Sequence, residues 1–172
     1  PDGDATSTAS AIDDACHGRT PVELSWLASL CDSWLAATGA KVPGLTAVVE
    51  RRQRIQAQID ALRNANIDAD EVELMYLDHD LDSADGILES IEADRKTSRR
   101  SEAITASLQQ LDARAADGPL PEDWTERLTA AHEATKTGDL ETAERLRQTL
   151  DADLKASRRS ETVEELSDVF GA

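Results

Sequence analysis

DLDSADGILESIEADRKTSRRSEAI (residues 80–104) and DLETAERLRQTLDADLKASRRSETV (residues 139–163) are one stretch used twice. At an offset of 59 residues they share 11 of 25 positions without a gap, including Ala-Asp, a Lys and the run Ser-Arg-Arg-Ser-Glu. Half of the other positions exchange Asp for Glu, Ser for Thr or Ile for Leu. A match of this density marks an internal duplication of one helical unit.

Periodicity within the copies is unusual. At about 100° per residue, Leu81, Ala84, Leu88 and Ile91 share one face, while Ile104, Leu108 and Leu111 lie nearly opposite. The second copy sets Leu140, Ala143, Leu146 and Leu150 against Val163, Leu166 and Phe170. Either each helix serves two different neighbours along its length, or Ser-Arg-Arg-Ser is a turn. Cations ending one helix and Ser101 or Ser160 capping the next would suit a turn. No Gly, Pro or Asn occurs there, however, so continuous helices are preferred, the longer spanning about 55 Å over 80–116.

Working outward, the rest of the chain also reads as helix. Ala, Glu, Arg and Leu are abundant, Gly and Pro are few, and aromatics are only 3% of the 172 residues. Residues 1–19 are small, polar and aperiodic, which predicts a flexible arm with at most a short helix at 10–16. Thr20-Pro21-Val22-Glu23 is a capping box with Pro at the first helical position. Its helix is expected to bury Leu24, Leu27, Leu30, Cys31, Trp34 and Leu35 and to stop at Gly39. Pro43 opens a second helix with an inward stripe of Leu45, Val48, Val49, Ile55, Ile59 and Leu62, interrupted by Arg52. Asp68-x-x-Glu71 is expected to cap a short helix carrying Val72, Met75, Tyr76 and Leu77. Residues 117–121 (DGPLP) are the clearest break, followed by a helix with Trp124, Leu128 and Ala131 inward. The expected architecture is an all-α elongated antiparallel bundle of about six helices without a sheet. The arm occupies 1–19 and one domain 20–172, with the duplicated units near 68–116 and 121–170.

The net charge of −17 is chiefly a matter of solvation, though an acidic surface also repels nucleic acid or mimics it. Ten of the eighteen cations fall in three clusters: Arg51, Arg52 and Arg54; Arg95, Lys96, Arg99 and Arg100; Lys155, Arg158 and Arg159. Brought to one level, they would form a patch for phosphate or carboxylate groups. The simpler reading is a solvated helix face with i,i+4 pairs such as Glu92–Lys96 and Asp151–Lys155.

Asp78, Asp80, Asp82 and Glu89 match positions 1, 3, 5 and 12 of a calcium loop, but Ser83 stands where Gly is required. A helix-capping turn explains them better. Cys16, His17 and Cys31 have no metal-site spacing, and no nucleophile motif or phosphate-cradling loop is present. No metal, cofactor or catalytic residue is therefore assigned. Without an apolar run of about 18 residues or a leader-like start, the expectation is a cytoplasmic protein without a membrane span.

These features point to a non-catalytic scaffold or adaptor that binds a protein partner or itself. The alternative is a nucleic-acid- or phosphate-binding protein using the three clusters. If Leu108, Leu111, Leu166, Val169 and Phe170 were left bare, a homodimer pairing these halves would cover them.

Overall fold

A computed structural model describes residues 2–116 and 120–170, with side chains from 4 to 160. Among the described residues all regular structure is helical, in seven helices. These are α1 (Asp2–Cys16), α2 (Pro21–Thr38), α3 (Pro43–Asn64), α4 (Asp70–Leu77), α5 (Leu81–Ala115), α6 (Trp124–Lys136) and α7 (Leu140–Phe170). They divide into two compact units, Pro1–Glu92 and Ala93–Ala172, with the division inside α5.

The first unit is built on α3. Its N-terminal half packs with α1 and α2 around Cys16, Ala28, Val42 and Leu45. Its C-terminal half packs with α4 and the start of α5 around Ile55, Ile59, Leu62, Val72, Leu81 and Ala84. Residues 2–16 form a helix that joins this cluster, where at most a short helix at 10–16 was expected. Their apolar side is only Ala9, Ile12 and Cys16, too sparse a stripe to stand out in sequence.

Helix starts and stops are local chemistry. The Thr20 hydroxyl accepts from the Glu23 N–H at 3.3 Å and the Glu23 carboxylate accepts from the Thr20 N–H at 2.8 Å, completing the capping box. Gly39 ends α2 in the left-handed conformation (φ 64°) and donates to the Leu35 carbonyl. The start of α4 differs from expectation: Ala69 is the N-cap, and Asp68 instead accepts from the Asp70 N–H, two residues on. Leu74 and Leu77 are exposed, Leu77 at 62%, because five apolar residues on an eight-residue helix cannot share one face.

Gly44 marks a close approach between α1 and α3. Its N–H donates to Asp13 Oδ1 at 2.7 Å, and a Cβ there would meet Cys16 Cβ at 2.8 Å. Gly44→Ala is therefore expected to destabilise the chain by about 1–3 kcal/mol, because both carbons are fixed to helix backbones. Thermal unfolding followed by circular dichroism checks this. Adding Cys16→Ala should restore only part of the loss, since Cβ remains; full recovery would place the clash at the sulfur alone.

In the second unit, α5 beyond residue 92 packs with α6 and α7 around Ile104, Leu108, Leu111, Trp124, Leu128, Ala131 and Leu150. The two apolar faces of α5 therefore belong to two clusters, and the helix runs unbroken through Ser98–Ser101. Leu108 and Leu111, which a second copy was expected to cover if they were bare, are buried within the chain. Val163, Leu166, Val169 and Phe170 lie outside the described side chains, and residues 117–119 of the 117–121 break lie outside the described residues.

The turns that precede α5 and α7 share their local geometry. His79 and Gly138 both take positive φ (63° and 81°). Their N–H groups donate to Tyr76 and Thr135 carbonyls, each at 3.2 Å. Asp80 and Asp139 then accept from the N–H of Ser83 and Thr142, each at 3.1 Å, as N-caps do. Hydrogen bonds from the Ser83 hydroxyl and N–H hold the Asp80 carboxyl below its usual range, and the Thr142 N–H does the same for Asp139. Asp80 thus serves as a helix cap, the alternative to calcium ligation.

Candidate functional site

The first basic cluster is consumed by the fold. Arg51 and Arg54 leave α3 toward the first turn of α5, where carboxylates favour the helix N-terminus. Arg51 reaches Asp82 and Asp85 at 2.7 Å each, donates to the Leu81 carbonyl at 3.0 Å, and shares Asp85 with Arg54 at 2.9 Å. Arg52 turns the other way. Its Nη1 donates to Ser25 Oγ at 2.9 Å and to His79 Nδ1 at 3.2 Å, and its guanidinium lies 4.4 Å over the Tyr76 ring.

The second and third clusters share the second unit but not a level along it. Arg147 of α7 bonds Ser107 of α5, and Asp151 bonds Arg114, so the two helices run in the same direction. Arg100 stands near Glu144, whose carboxyl Arg147 holds below its usual range against desolvation, with help from Gln148 and Arg100. Lys155 pairs with Asp151 at 2.5 Å, and Arg158 donates to the Arg114 carbonyl at 2.8 Å. Arg100 and Arg114 are about 21 Å apart along α5. Lys96, Arg99 and Arg159 are exposed and make no ion pair among the described residues.

A different surface stands out, and the sequence reading missed it. Helix α2 is apolar on two opposite faces. Leu24, Leu27, Cys31, Trp34 and Leu35 are half-buried with Ala28 on the side facing α1 and α3. Val22, Trp26 and Leu30, at i, i+4 and i+8, point away and are 47, 48 and 62% exposed. Leu30, assigned inward from its spacing to Leu27, belongs to this outer stripe. The signal was legible: a second apolar row at helical spacing, continued by Ser29, Ser33 and Ala37. Glu23, held by Thr20 and Arg19, borders the stripe on one side, while Asp32 lies about 120° from its centre on the cleft side.

On the Asp32 side the stripe borders a cleft of about 510 Å³ between α2 and α3. Ala28, Ala36 and Ala57 keep its walls low, and Asp32, Asp60 and Arg52 line it. Because Arg52 donates to His79 Nδ1, the imidazole is neutral with its proton on Nε2. Burial, and then Arg52, lower the His79 pKa from 6.5, with Asp78 opposing. A depressed pKa means the unfolded chain binds the proton more readily. The stability contributed by neutral His79 is therefore complete above pH about 6.5 and lost as pH falls through the folded-state value. His79→Asn, which tolerates the positive φ, should flatten the decline in denaturation midpoint between about pH 7 and 5. An unchanged slope would show that other groups cause it.

No family model, curated protein or solved structure matches this chain. Its chemistry must be read from its own residues.

Burial pushes both thiols up: Cys16 is buried and Cys31 half-buried in one cluster, so both stay protonated and are poor nucleophiles. Among the described residues no group of three His, Cys, Asp or Glu is placed to hold a metal ion. None of their helices is long and apolar enough to cross a membrane.

Proposed function

We propose that the chain is a non-catalytic helical scaffold or adaptor, a bundle built around a duplicated helical hairpin, which holds a partner protein on α2. The observation that carries this reading is the outer stripe of α2. A Trp and a Leu left about half exposed, in line on a helix whose other face is already packed, form the kind of patch soluble chains keep for binding. Trp is also the residue type most enriched among binding hot spots. The duplication is supported by the matched turns before α5 and α7.

Nucleic-acid or phosphate binding draws less support. Arg51, Arg52 and Arg54 are engaged by Asp82, Asp85, Ser25 and His79, and Arg100 and Arg158 stand at different levels of α5.

The test is selection of helical peptides on the wild-type chain, followed by binding to Trp26→Ala/Leu30→Ala. Both side chains are exposed, so the variant should unfold within about 0.5 kcal/mol of wild type. Selected peptides should lose binding to it. Binding indifferent to the two substitutions would remove α2 from the function. Light scattering on the free chain reports self-association through the same face.

A further inference from the structure

We infer that α1 is a strap that opens on its own. Asp2–Cys16 leaves its seat on α2 and α3 by local unfolding while those two helices stay paired, and so uncovers apolar surface that the closed chain hides. This goes beyond the reading of the outer stripe of α2 and does not depend on it.

The strap has little helical tendency of its own. Four Asp, two Ser, two Thr and Gly3 are weak helix formers and fill most of its 15 residues. A helix of that length is marginal in water even with good formers. Asp13 and Asp14 stand in its last turn without a cation there, the wrong sign for that end of the dipole. Arg19, beyond the end, donates to the Ala15 carbonyl, but in an exposed position. α1 is therefore helical because it is docked, and its seat is small. Cys16 is the one buried residue among its described side chains, with Ala9 and Ile12 half-buried beside it. Asp13 Oδ1 accepts from the Gly44 N–H at 2.7 Å. None of Asp4, Asp13 and Asp14 forms an ion pair among the described residues.

What the strap covers is apolar. Cys16 clusters with Ala28 of α2 and with Val42 and Leu45 at the start of α3, none of them more than 3% exposed. Lifting α1 wets that surface without dismantling what lies beneath it. Arg52 of α3 donates to buried Ser25 of α2, and α2 keeps its own capping box at Thr20 and Glu23. The C-terminal half of α3 is anchored in the other cluster, around Ile55, Ile59, Val72 and Leu81, to which α1 contributes nothing. A pivot is present as well. Gly18, between α1 and α2, takes a positive φ of 74° with open space around it, so the backbone there turns without steric cost. Few apolar contacts on a segment joined through such a pivot are the conditions for opening below the free energy of global unfolding.

The experiment alkylates the full chain with N-ethylmaleimide at fixed pH and reads each thiol by mass spectrometry of proteolytic fragments. The chain has two cysteines, and buried Cys16 lies on the strap itself. When closing outruns labelling, the rate at Cys16 follows the open population. Asp13→Ala, which removes the acceptor for the Gly44 N–H, should speed Cys16 about three- to tenfold. Gly44→Ala, which crowds the same seat from the α3 side, should also speed it. Val72→Ala is the contrast. It opens a cavity in the other cluster and should raise the globally unfolded population at least about tenfold, yet leave the Cys16 rate within about twofold. If Val72→Ala speeds Cys16 as much as it raises global unfolding, the thiol is reached only when the whole unit unfolds, and the inference is overturned. If Cys16 reacts as fast as in the denatured chain and Asp13→Ala changes nothing, α1 has no seat to leave, and the strap is equally wrong.

Discussion

Leu108→Ala should lower the stability of the chain by about 2–5 kcal/mol, the range for a fully buried Leu whose neighbours cannot collapse into the space. Leu108 is wholly buried among Leu111, Trp124, Leu128 and Leu150, contributed by α5, α6 and α7. Neighbours rooted on three helices limit relaxation, so the upper half of the range is expected. Leu77→Ala is the control: the same deletion at a site 62% exposed should cost within about 0.5 kcal/mol. Denaturant unfolding followed by far-UV circular dichroism measures both. The substitution also tests the change of face along α5. Leu88 and Leu108 differ by twenty positions, which turns the second about 200° from the first on a continuous helix. With one apolar face along the whole of α5, Leu108 would be wet and its truncation harmless. A loss below about 1 kcal/mol would therefore mean that the second half of α5 does not pack on α6 and α7.

The same residues show how far sequence carries the fold. The long helices were legible because their apolar stripes are periodic, and on α5 the shift of face corresponds to two sets of neighbours. Ser98-Arg99-Arg100-Ser101 stays helical because nothing in it breaks a helix, and Thr20, Pro21, Gly39 and Pro43 act within a few residues of themselves. The failures share a different cause. Helix α1 was missed because its contribution to the core is three small or medium side chains, and the neighbours that make this worthwhile are far away in sequence. On α2, Leu30 was placed inward because apolar residues ring most of the helix, and spacing alone does not say which row is covered. The basic clusters are visible in sequence as charge runs, while their partners are not. Arg51 and Arg54 find Asp85 more than thirty residues away.

Arg52 shows what such a hidden partner is worth. Arg52→Ala is expected to destabilise the chain by about 2–4 kcal/mol, more than a half-buried surface arginine would suggest. The loss has two sources. Ser25 is fully buried, and Arg52 is the donor to its hydroxyl oxygen, so truncation leaves a buried polar atom without that partner. Tyr76 also loses the cation over its ring, and His79 the donor that fixes its tautomer. Ser25→Ala alone should cost less, about 1 kcal/mol, because the freed Nη1 of half-buried Arg52 can turn to water. In the Arg52→Ala background, Ser25→Ala should be neutral or stabilising, since the orphaned hydroxyl is removed. The cycle should thus return a coupling of about 1–2 kcal/mol. Additive losses would mean that the two side chains do not depend on each other. A further contrast separates this role from the one the basic run suggested. An anion-binding Arg52 would be released by its substitution from repulsion with Arg51 and Arg54, leaving the empty protein as stable or more so. A structural Arg52 makes the empty protein weaker, and added phosphate should not change the difference.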